Sequence, residues 1–562
     1  MDVREVRTLN GDDPSRVTWT DVPGVGVVFT TDFVDWFVGL HDQFAERVAG
    51  VRTARGAVLD AALSHAAGPA PLAPSQATQE QWSVGELPAA LWQRGVEISG
   101  PAAATPMLIN ALNPGPDGRR AVGDLDDDED SAGHCLADTV QAARNRVAAL
   151  ERTLEYDDPA RGRSYRLEPG KLPFFMHRER GWHLDEQELR IDGRPVSATL
   201  LGTALTLFHA GRSHGALGEP IQFYLPKCES VEEVRLYRDV FDYARASVQY
   251  LRNADIFGIV LIESLPAVWQ MEEMLHALGP YAAGLNAARW DLKASLLEFS
   301  MTDATAIWPD RFAVDIKTTP FLADIFRRLV AVCRRHGAVP IGGMATALPH
   351  RDPAVNEAAA AAIRADKEWE ANEGFVRGWV AHIHHMQAAA EPFRAITTDA
   401  WAIERGEDPL PPVRIETPSG VVTEEGTRRN VRTLIEYVEG WLQGRGAKGI
   451  DSLESRPGAR PALMEDLATA RISVAQTAQR VRHGARCWDT DRRHDVALVR
   501  TIAKTELHDI LGRRAADTHD RYEAAAAISL RWLDRYLELD FASLGSFTRT
   551  ELQADADSAD AL

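Results

Sequence analysis

Cysteine is scarce and dispersed in this chain, which excludes two classes of cross-linked scaffold. The 562 residues contain four cysteines, Cys135, Cys228, Cys333 and Cys487. None belongs to a Cys-x-x-Cys pair, so the spacing indicates neither a zinc knuckle nor a disulfide framework. We therefore expect reduced thiols with structural roles.

Long hydrophobic runs are also missing. No stretch approaches the roughly 18 to 20 apolar residues that a helix needs to span a bilayer. The first residues lack an apolar segment followed by a small-residue cleavage site, and the last five match no peroxisomal or retention address. The sequence predicts a cytoplasmic protein that does not associate with membranes.

Positive charge is in short supply. Lys and Arg total 62 against 82 Asp and Glu, which gives a formal net charge of −20. A nucleic-acid partner would require a basic face to neutralise phosphates, so we expect no such partner. An anionic substrate would have to meet a local group of basic residues.

Short apolar runs that alternate with longer helical patterns are the main feature present from about Thr105 onwards. Short continuous apolar runs are typical of strands buried on both faces, and eight strands alternating with helices close a parallel barrel. The sequence thus predicts an α/β fold, a (β/α)8 TIM barrel. The eight runs begin at Met107, Ala121, Leu172, Ile221, Gly258, Ala283, Ala338 and Gly378.

The segments on either side of the barrel have helical patterns, and a chain of this length exceeds one compact core. We predict an N-terminal helical segment over 1–100, the barrel over 101–400 and a C-terminal helical domain over 401–562. A Gly/Ser/Pro-rich loop over 444–461 interrupts the last domain, and we expect it to move. Within the barrel, the turn residues after Ile191 predict an inserted hairpin.

Charged residues follow several of the apolar runs, and in a TIM barrel the C-terminal strand ends form the catalytic face. Glu263 and Asp291 follow the fifth and sixth runs. An isolated acid at a strand end most often forms a salt bridge, but two acids after adjacent strands favour a metal site. Carboxylate oxygens supplemented by water are the ligands that Mg²⁺ prefers.

An ordered set of short motifs resembles the A-type malate synthase family. The similarity extends from Val96 to about Thr469. Each motif alone is weak evidence, but their order along the chain is specific. The motifs are Val96–Pro101, Met107–Asn113, Arg178–Leu184, Phe223–Ser230, Leu261–Glu273, Gly284–Asp291, Gly342–Ala345, Ala365–Asn372, Trp379–His382 and Leu463–Ala470.

The resemblance implies an acyltransferase that converts the acyl group into an alkyl group on transfer. Acetyl-CoA and glyoxylate, a small 2-oxo acid, would condense in a Mg²⁺-dependent reaction, and hydrolysis would give malate and CoA. Glu263 and Asp291 match the family's metal ligands, Asp466 its general base and Arg178 its active-site arginine. Without the resemblance, Asp466 reads as a helix N-cap.

Two further groups of residues are candidates through the same resemblance. Backbone N–H groups around Ala288, Arg289 and Trp290 are expected to bind the carboxylate of the acceptor. The acidic tract from Asp124 to Ser131 corresponds to the family's Asp-Phe-Glu-Asp-Ser, in an ambiguous register. The members chosen to hold metal-bound waters are Asp124, Asp126 and Asp127; the alternative is a solvated run of charge.

Several positions near the predicted site depart from the family pattern. Ala288 and Leu292 stand where Gly and Tyr are usual, while Leu467 and Arg471 replace an Ala and a Glu. A methyl group at Ala288 would crowd a backbone that must approach the acceptor. The substrates therefore stay open: another acyl thioester, including one on a carrier protein, or another 2-oxo acid. A malyl-CoA lyase or thioesterase and a catalytically silent relative are the remaining alternatives.

Overall fold

Eight parallel strands form a closed barrel in the computed structural model, which describes residues 6–8, 16–396, 410–451 and 461–557. Each strand pairs with the next along the chain, and the eighth pairs with the first. The predicted TIM barrel is confirmed. Its strands are β1 Gly95–Gly100, β2 Gly123–Asp127, β3 Phe174–Arg178, β4 Ile221–Leu225, β5 Ile256–Leu261, β6 Ala282–Asn286, β7 Val339–Ala345 and β8 Arg377–Val380.

The prediction of a strand at Met107 is wrong. That run lies in the helix Thr105–Leu112, where a proline in the first turn favours helix initiation. The first barrel strand lies upstream and escaped the hydrophobic pattern because Glu97 interrupts it. Glu97 is fully buried and compensated: it accepts hydrogen bonds from the Tyr224 hydroxyl at 2.7 Å and from Trp379 Nε1 at 3.0 Å, and it pairs with Arg377.

Helices surround the barrel, and each buries its apolar stripe against the strands. The helix Val231–Ser247 illustrates the pattern, because the Ser230 side chain accepts a hydrogen bond from the Glu233 backbone N–H at its start and apolar residues recur along one face. The other helices of this layer are Leu136–Leu150, Ala198–Leu205, Gly211–Leu217, Leu265–Val268, Met271–Leu278, Arg289–Phe299, Pro320–His336, Pro353–Glu373 and Met386–Ala395.

The N-terminal part combines a long helix with a small antiparallel sheet. The long helix is Thr31–Leu63, which contacts Val231–Ser247. The predicted hairpin after Ile191 is confirmed: Asp192 and Gly193 both have positive φ, as a tight two-residue turn requires. The sheet consists of Val6–Thr8, Val17–Thr20, Asp185–Ile191 and Arg194–Ser197, and a separate ribbon pairs Glu155–Asp158 with Arg163–Arg166.

The C-terminal part is helical, as predicted, and lies against the mouth of the barrel. A ribbon of Lys448–Ile450 and Leu463–Glu465 connects it to β7 through a hydrogen bond from Met464 N to Thr346 O of 2.8 Å. Of the loop predicted to move, 452–460 lie outside the described residues. The helices are Glu424–Leu442, Leu467–Arg482, Val496–Leu511, His519–Leu537 and Arg549–Asp557. Among the described helices, none combines the length and apolar character needed to cross a membrane.

Candidate active site

Two carboxylates meet at the C-terminal ends of β5 and β6. Glu263 follows β5, and Asp291 lies in the first turn of the helix Arg289–Phe299, which follows β6. Both side chains are buried. The Nζ atom of Lys227, which follows β4, lies 2.7 Å from Asp291 Oδ2 and 3.8 Å from Glu263 Oε2. Three consecutive strands thus bring two acids around one ammonium group.

The Lys227 ammonium group is the centre of a larger acidic cluster. Asp130 lies 3.1 Å from Nζ and Glu129 lies 4.0 Å away. Burial alone would lower the pKa of Lys227, but these carboxylates together raise it above its usual range.

The backbone of Lys227 has a positive φ of 54°, which is uncommon for a residue with a side chain. The backbone at this position thus has a conformation that is rare outside glycine.

Glu263 has one oxygen available for a ligand. Its Oε1 accepts a hydrogen bond from the Lys227 backbone N–H, while Oε2 is buried without a hydrogen-bond partner among the described residues. Burial raises the pKa of Glu263 to about 8, against the opposing charge of Lys227 and with the support of the nearby Asp291 and Asp130. A further cation at this position would compensate the cluster and lower that pKa.

Arg178, at the end of β3, lies beside the same cluster with its guanidinium group held on several sides. Nε and Nη2 each donate to Asp127 at 2.7 Å, and Nη1 lies 3.1 Å from Asp130. The Trp379 ring centre is 5.5 Å from the guanidinium carbon. The guanidinium group stays charged, and these contacts fix the orientation of its plane at the barrel mouth.

The acidic tract divides into two groups that point in different directions. Asp126 is paired in register with His177 on β3; it bonds to that ring at 2.6 Å and to Arg146 at 2.6 Å, within the helix layer. Asp124 also has Arg146 and Glu97 as charged neighbours. The structure does not bring Asp124 or Asp126 to the Lys227 cluster, where the resemblance was expected to place them.

Asp127, in contrast, reaches the mouth of the barrel together with Glu129 and Asp130. Alternate residues of a strand face opposite sides, so Asp127 and Arg178 point to the mouth when Asp126 and His177 point to the helices. The geometry therefore favours the register in which Asp127–Ser131 corresponds to the family's Asp-Phe-Glu-Asp-Ser. The final Glu-Asp-Ser was the sequence signal that could have identified Glu129 and Asp130.

Asp466 serves as the N-cap of the helix Leu467–Arg482, and this structural role is compatible with a chemical one. Its Oδ1 accepts a hydrogen bond of 3.0 Å from Thr469 N, which leaves the other oxygen outside this cap. Burial raises the pKa of Asp466 to about 8, with further contributions from the charges of Asp130 and Asp291. The carboxyl group thus belongs to the same electrostatic cluster.

The segment Ala288–Trp290 contributes its backbone to this region, while its side chains point elsewhere. It begins the helix Arg289–Phe299, and the first N–H groups of a helix lack partners within the helix. Arg289 forms a two-bond pair with Asp366 at 2.5 and 2.8 Å. Trp290 packs under the Lys293 ammonium group, 4.5 Å from its ring centre. An anion near this helix start would therefore meet N–H donors.

A cavity of about 570 Å³ lies at the end of β7. Trp290, next to Asp291, forms part of its wall, and Leu463 of the C-terminal ribbon forms another part. Its lining combines five alanines, Ala345, Ala347, Ala358, Ala359 and Ala362, with charged side chains that include Arg289, Asp315, Lys317 and Asp366. The cavity lies between the barrel and the C-terminal domain, and its surface is more apolar than polar.

Two residues of the cluster received little or no weight from the sequence. Lys227 recurs in the motif Phe223–Ser230, but a single strand-end lysine gave no reason to place it at the centre. Arg471 stood out only as a departure from the family pattern. In the structure it donates to Asp291 Oδ1 at 3.0 Å and to Glu298 at 2.7 and 3.0 Å.

The residues around Lys227 fit a magnesium ion. Among the described residues, no group of three or more His, Cys, Asp or Glu side chains forms a complete metal cage. Mg²⁺ does not need one, because it commonly keeps several waters and takes one or two carboxylates. The Glu263 oxygen without a hydrogen-bond partner and the adjacent Asp291 carboxylate are oxygen ligands of the kind that Mg²⁺ takes, and the Lys227 ammonium group beside them is a cation already attracted to this position.

Comparisons with known proteins identify the family of this chain. Two family models match the chain, "Malate synthase, TIM barrel domain" over residues 174–407 and "Malate synthase, C-terminal" over 421–543. Malate synthase from Myxococcus xanthus (strain DK1622) is 34% identical over 551 residues, 95% of this chain and 96% of that protein.

Two further relatives show similar identity over a smaller share of the chain. Malate synthase from Streptomyces clavuligerus is 36% identical over 88% of this chain and 90% of its own length. Malate synthase A from Escherichia coli (strain K12) is 34% identical over 72% of this chain and 73% of its own length. Because similarity at this level covers nearly the whole chain, the protein belongs to the malate synthase family.

Proposed function

We propose that this enzyme condenses acetyl-CoA with glyoxylate and hydrolyses the thioester to malate and CoA in a Mg²⁺-dependent reaction. One observation supports the proposal above the others: Asp466, carried by the C-terminal domain, shares one electrostatic cluster with Asp291, Asp130 and, through them, Glu263 and Arg178. Burying this many charged side chains at one place costs free energy of folding, so we infer that the cluster has a function. Relatives named malate synthase over most of the chain support the same reaction.

Asp466 is the proposed general base. The α-carbon of a thioester is a weak acid, and a carboxylate whose pKa is raised towards 8 accepts its proton more readily than an ordinary carboxylate. The proton moves to the Asp466 carboxyl group, and the electron pair moves onto the thioester oxygen to form an enolate. The enolate carbon then bonds to the carbonyl carbon of glyoxylate.

Arg178 is the proposed stabiliser of the negative charge that develops on the enolate and on the acceptor. Its guanidinium group is preorganised by Asp127 and Asp130, so little reorganisation is needed during the reaction. N–H groups at the start of the helix Arg289–Phe299 are proposed to bind the glyoxylate carboxylate. Water then cleaves the thioester, and CoA leaves as the thiol.

Glu263 and Asp291 are the residues that would hold Mg²⁺, with Asp127, Glu129 and Asp130 near enough to bond its waters. When bound, the ion supplies charge stabilisation and polarises the carbonyl group of the acceptor. Lys227 provides a fixed positive charge beside the same carboxylates. Its ammonium group neutralises part of the negative charge of these carboxylates when no metal ion is bound.

The direct test is CoA thiol release by the purified protein, followed with a thiol reagent and by product mass. We expect release from acetyl-CoA only when glyoxylate and Mg²⁺ are both present, with malate as the product. No release under these conditions would refute the proposal. Thiol release from malyl-CoA without an acceptor would indicate the lyase or thioesterase alternative instead.

A second candidate is the same condensation with a larger acyl thioester, on CoA or on a carrier protein, or with a larger 2-oxo acid. The alanine-lined cavity of about 570 Å³ beside Trp290 favours it, because small side chains leave room for a longer chain. A panel of acyl-CoAs against 2-oxo acids discriminates the two. Turnover at least tenfold faster with a longer donor than with acetyl-CoA would favour the second candidate.

A further inference from the structure

Arg471 joins the two domains at the metal-binding carboxylate. It lies on the helix Leu467–Arg482 of the C-terminal domain, and its Nη1 donates to Asp291 Oδ1 at 3.0 Å. Its Nη2 donates to both oxygens of Glu298, at 2.7 and 3.0 Å. Asp291 and Glu298 both belong to the barrel helix Arg289–Phe299. One guanidinium group therefore holds two points of that helix.

A second residue of the C-terminal domain reinforces this connection. The hydroxyl group of Tyr536 donates to Glu298 Oε1 at 2.8 Å. Tyr536 is fully buried and Arg471 is largely so, which keeps water from competing for these bonds. Glu298 is thus fixed between two C-terminal helices, and through Arg471 it fixes the orientation of Asp291.

The proposed base begins the same helix that carries Arg471. Asp466 is the N-cap residue, and its capping bond to Thr469 ties its carboxyl group to the first turn. Arg471 follows within the next turn. Because a helix is rigid over this distance, a displacement of the Arg471 contacts would displace Asp466 relative to Asp291 by a similar amount.

We propose that Arg471 is a positioning residue that sets the distance between the base Asp466 and the magnesium site, an inference that rests on the proposed function. Its charge has a second consequence, because a cation at 3.0 Å from Asp291 Oδ1 opposes the binding of another cation. Arg471 therefore favours correct placement of the base and disfavours Mg²⁺ binding. An ion pair that only stabilised the fold would not have these opposite effects.

The test uses the full-length Arg471→Gln variant with two readouts. We expect kcat to fall by about tenfold or more, since small displacements of catalytic groups have effects of this size. Isothermal titration of Mg²⁺, without substrates, is expected to give a dissociation constant that is unchanged or up to about fivefold lower. Arg471→Lys, which can bond one acid but not bridge both, should have an intermediate kcat.

Two control variants separate positioning from other effects. Arg482→Gln changes an arginine on the same helix that donates to the Leu537 backbone inside the C-terminal domain, so its kcat and Mg²⁺ affinity should equal those of the wild type. Glu298→Gln weakens the contacts of Arg471 with residue 298 and leaves the Asp291 side chain unchanged. Its kcat should fall while its Mg²⁺ affinity stays at the wild-type value.

Specific results would overturn the proposal. If Arg471→Gln lost Mg²⁺ affinity together with kcat, Arg471 would be part of the metal site. If kcat were unchanged in Arg471→Gln or in Glu298→Gln, the bridge would have no positioning role. Should Arg471→Gln fail to fold, Glu298→Gln and Arg471→Lys give the same decision. A wild type without glyoxylate-dependent thiol release would instead refute the proposed function, while the Mg²⁺ titrations would remain interpretable.

Discussion

The Nζ atom of Lys227 lies 2.7 Å from Asp291 Oδ2, while Arg471 occupies the other oxygen of the same carboxylate. Asp291 is therefore compensated from two directions before a metal ion binds. Glu263 Oε2 lies 3.8 Å from the same ammonium group and has no hydrogen-bond partner among the described residues. The Lys227 ammonium group thus compensates much of the negative charge of the cluster.

Replacement of Lys227 by Met should make the stability of the protein depend on Mg²⁺. Removal of the ammonium group takes a cation away from the buried Glu263 and leaves Asp130 with Arg178 and Asp291 with Arg471, which costs about 3 to 5 kcal/mol. We expect a clear fall of Tm without Mg²⁺ and its recovery with saturating Mg²⁺, measured by differential scanning fluorimetry. Lys448→Met, which removes one cationic partner from the buried Glu436 and Glu439 in the C-terminal domain, is the control and should not recover. Equal recovery of both variants would contradict the role of Lys227.

Replacement of Asp466 by Asn should separate chemistry from structure. The amide oxygen can still accept the hydrogen bond from Thr469 N, so Tm should stay close to that of the wild type. Loss of the base should reduce kcat by about 10²- to 10⁴-fold. Calorimetry should give a nearly unchanged Mg²⁺ affinity, and an equal loss of metal binding and turnover would refute the assignment of the base.

Parts of this site could be predicted from the sequence because they follow local patterns. Glu263 comes directly after an apolar run, Asp291 lies in the first turn of the helix after the next run, and parallel strands bring such positions to one face. The first strand could not be recognised in the same way, since Glu97 is buried by partners from distant strands. Local hydrophobicity contains no information about those partners.

The register of the acidic tract and the role of Arg471 also depended on long-range structure. The hydrophobic pattern does not distinguish Asp126 from Asp127; the pairing of β2 with β3 sends one to the helices and the other to the mouth. Arg471 meets Asp291 across the domain interface, at a separation of 180 positions. The family pattern identified it only as a substitution, and the catalytic roles themselves stay predictions.

Replacement of Arg178 by Lys should damage catalysis although the charge is kept. An ammonium group cannot reproduce the two bonds to Asp127 together with the contact to Asp130. We expect kcat/KM to fall by about 10²- to 10³-fold, in line with the loss of a preorganised charge donor. Arg180→Lys, which affects a nearby arginine paired with Glu186, should retain turnover. Comparable losses in both variants would indicate a structural cause.

Glu233 offers a test of pH-dependent stability away from the proposed chemistry. Its side chain is buried, and its Oε2 accepts a hydrogen bond from Glu229 N at 2.6 Å. Burial raises the pKa of Glu233 to about 7, with Arg55 opposing and Glu229 adding to the shift. Between pH 4.5 and 7 the folded state therefore holds a proton that the unfolded state releases. The free energy of unfolding must consequently fall as pH rises through this window.

The Glu233→Gln variant removes this titration but can keep the bond from Glu229 N. Above pH 7 it should be more stable than the wild type by up to about 3 kcal/mol, whereas near pH 4.5 the two should be similar. Urea unfolding at pH 5 and pH 8 measures the difference. Glu232→Gln, at an exposed position of the same helix, is the matched control and should leave the pH dependence of stability as it is. If the stability difference between Glu233→Gln and the wild type were the same at pH 5 and pH 8, Glu233 would already be ionised in the folded state at pH 5. In that case Arg55 would stabilise the charge of Glu233 more strongly than burial opposes it.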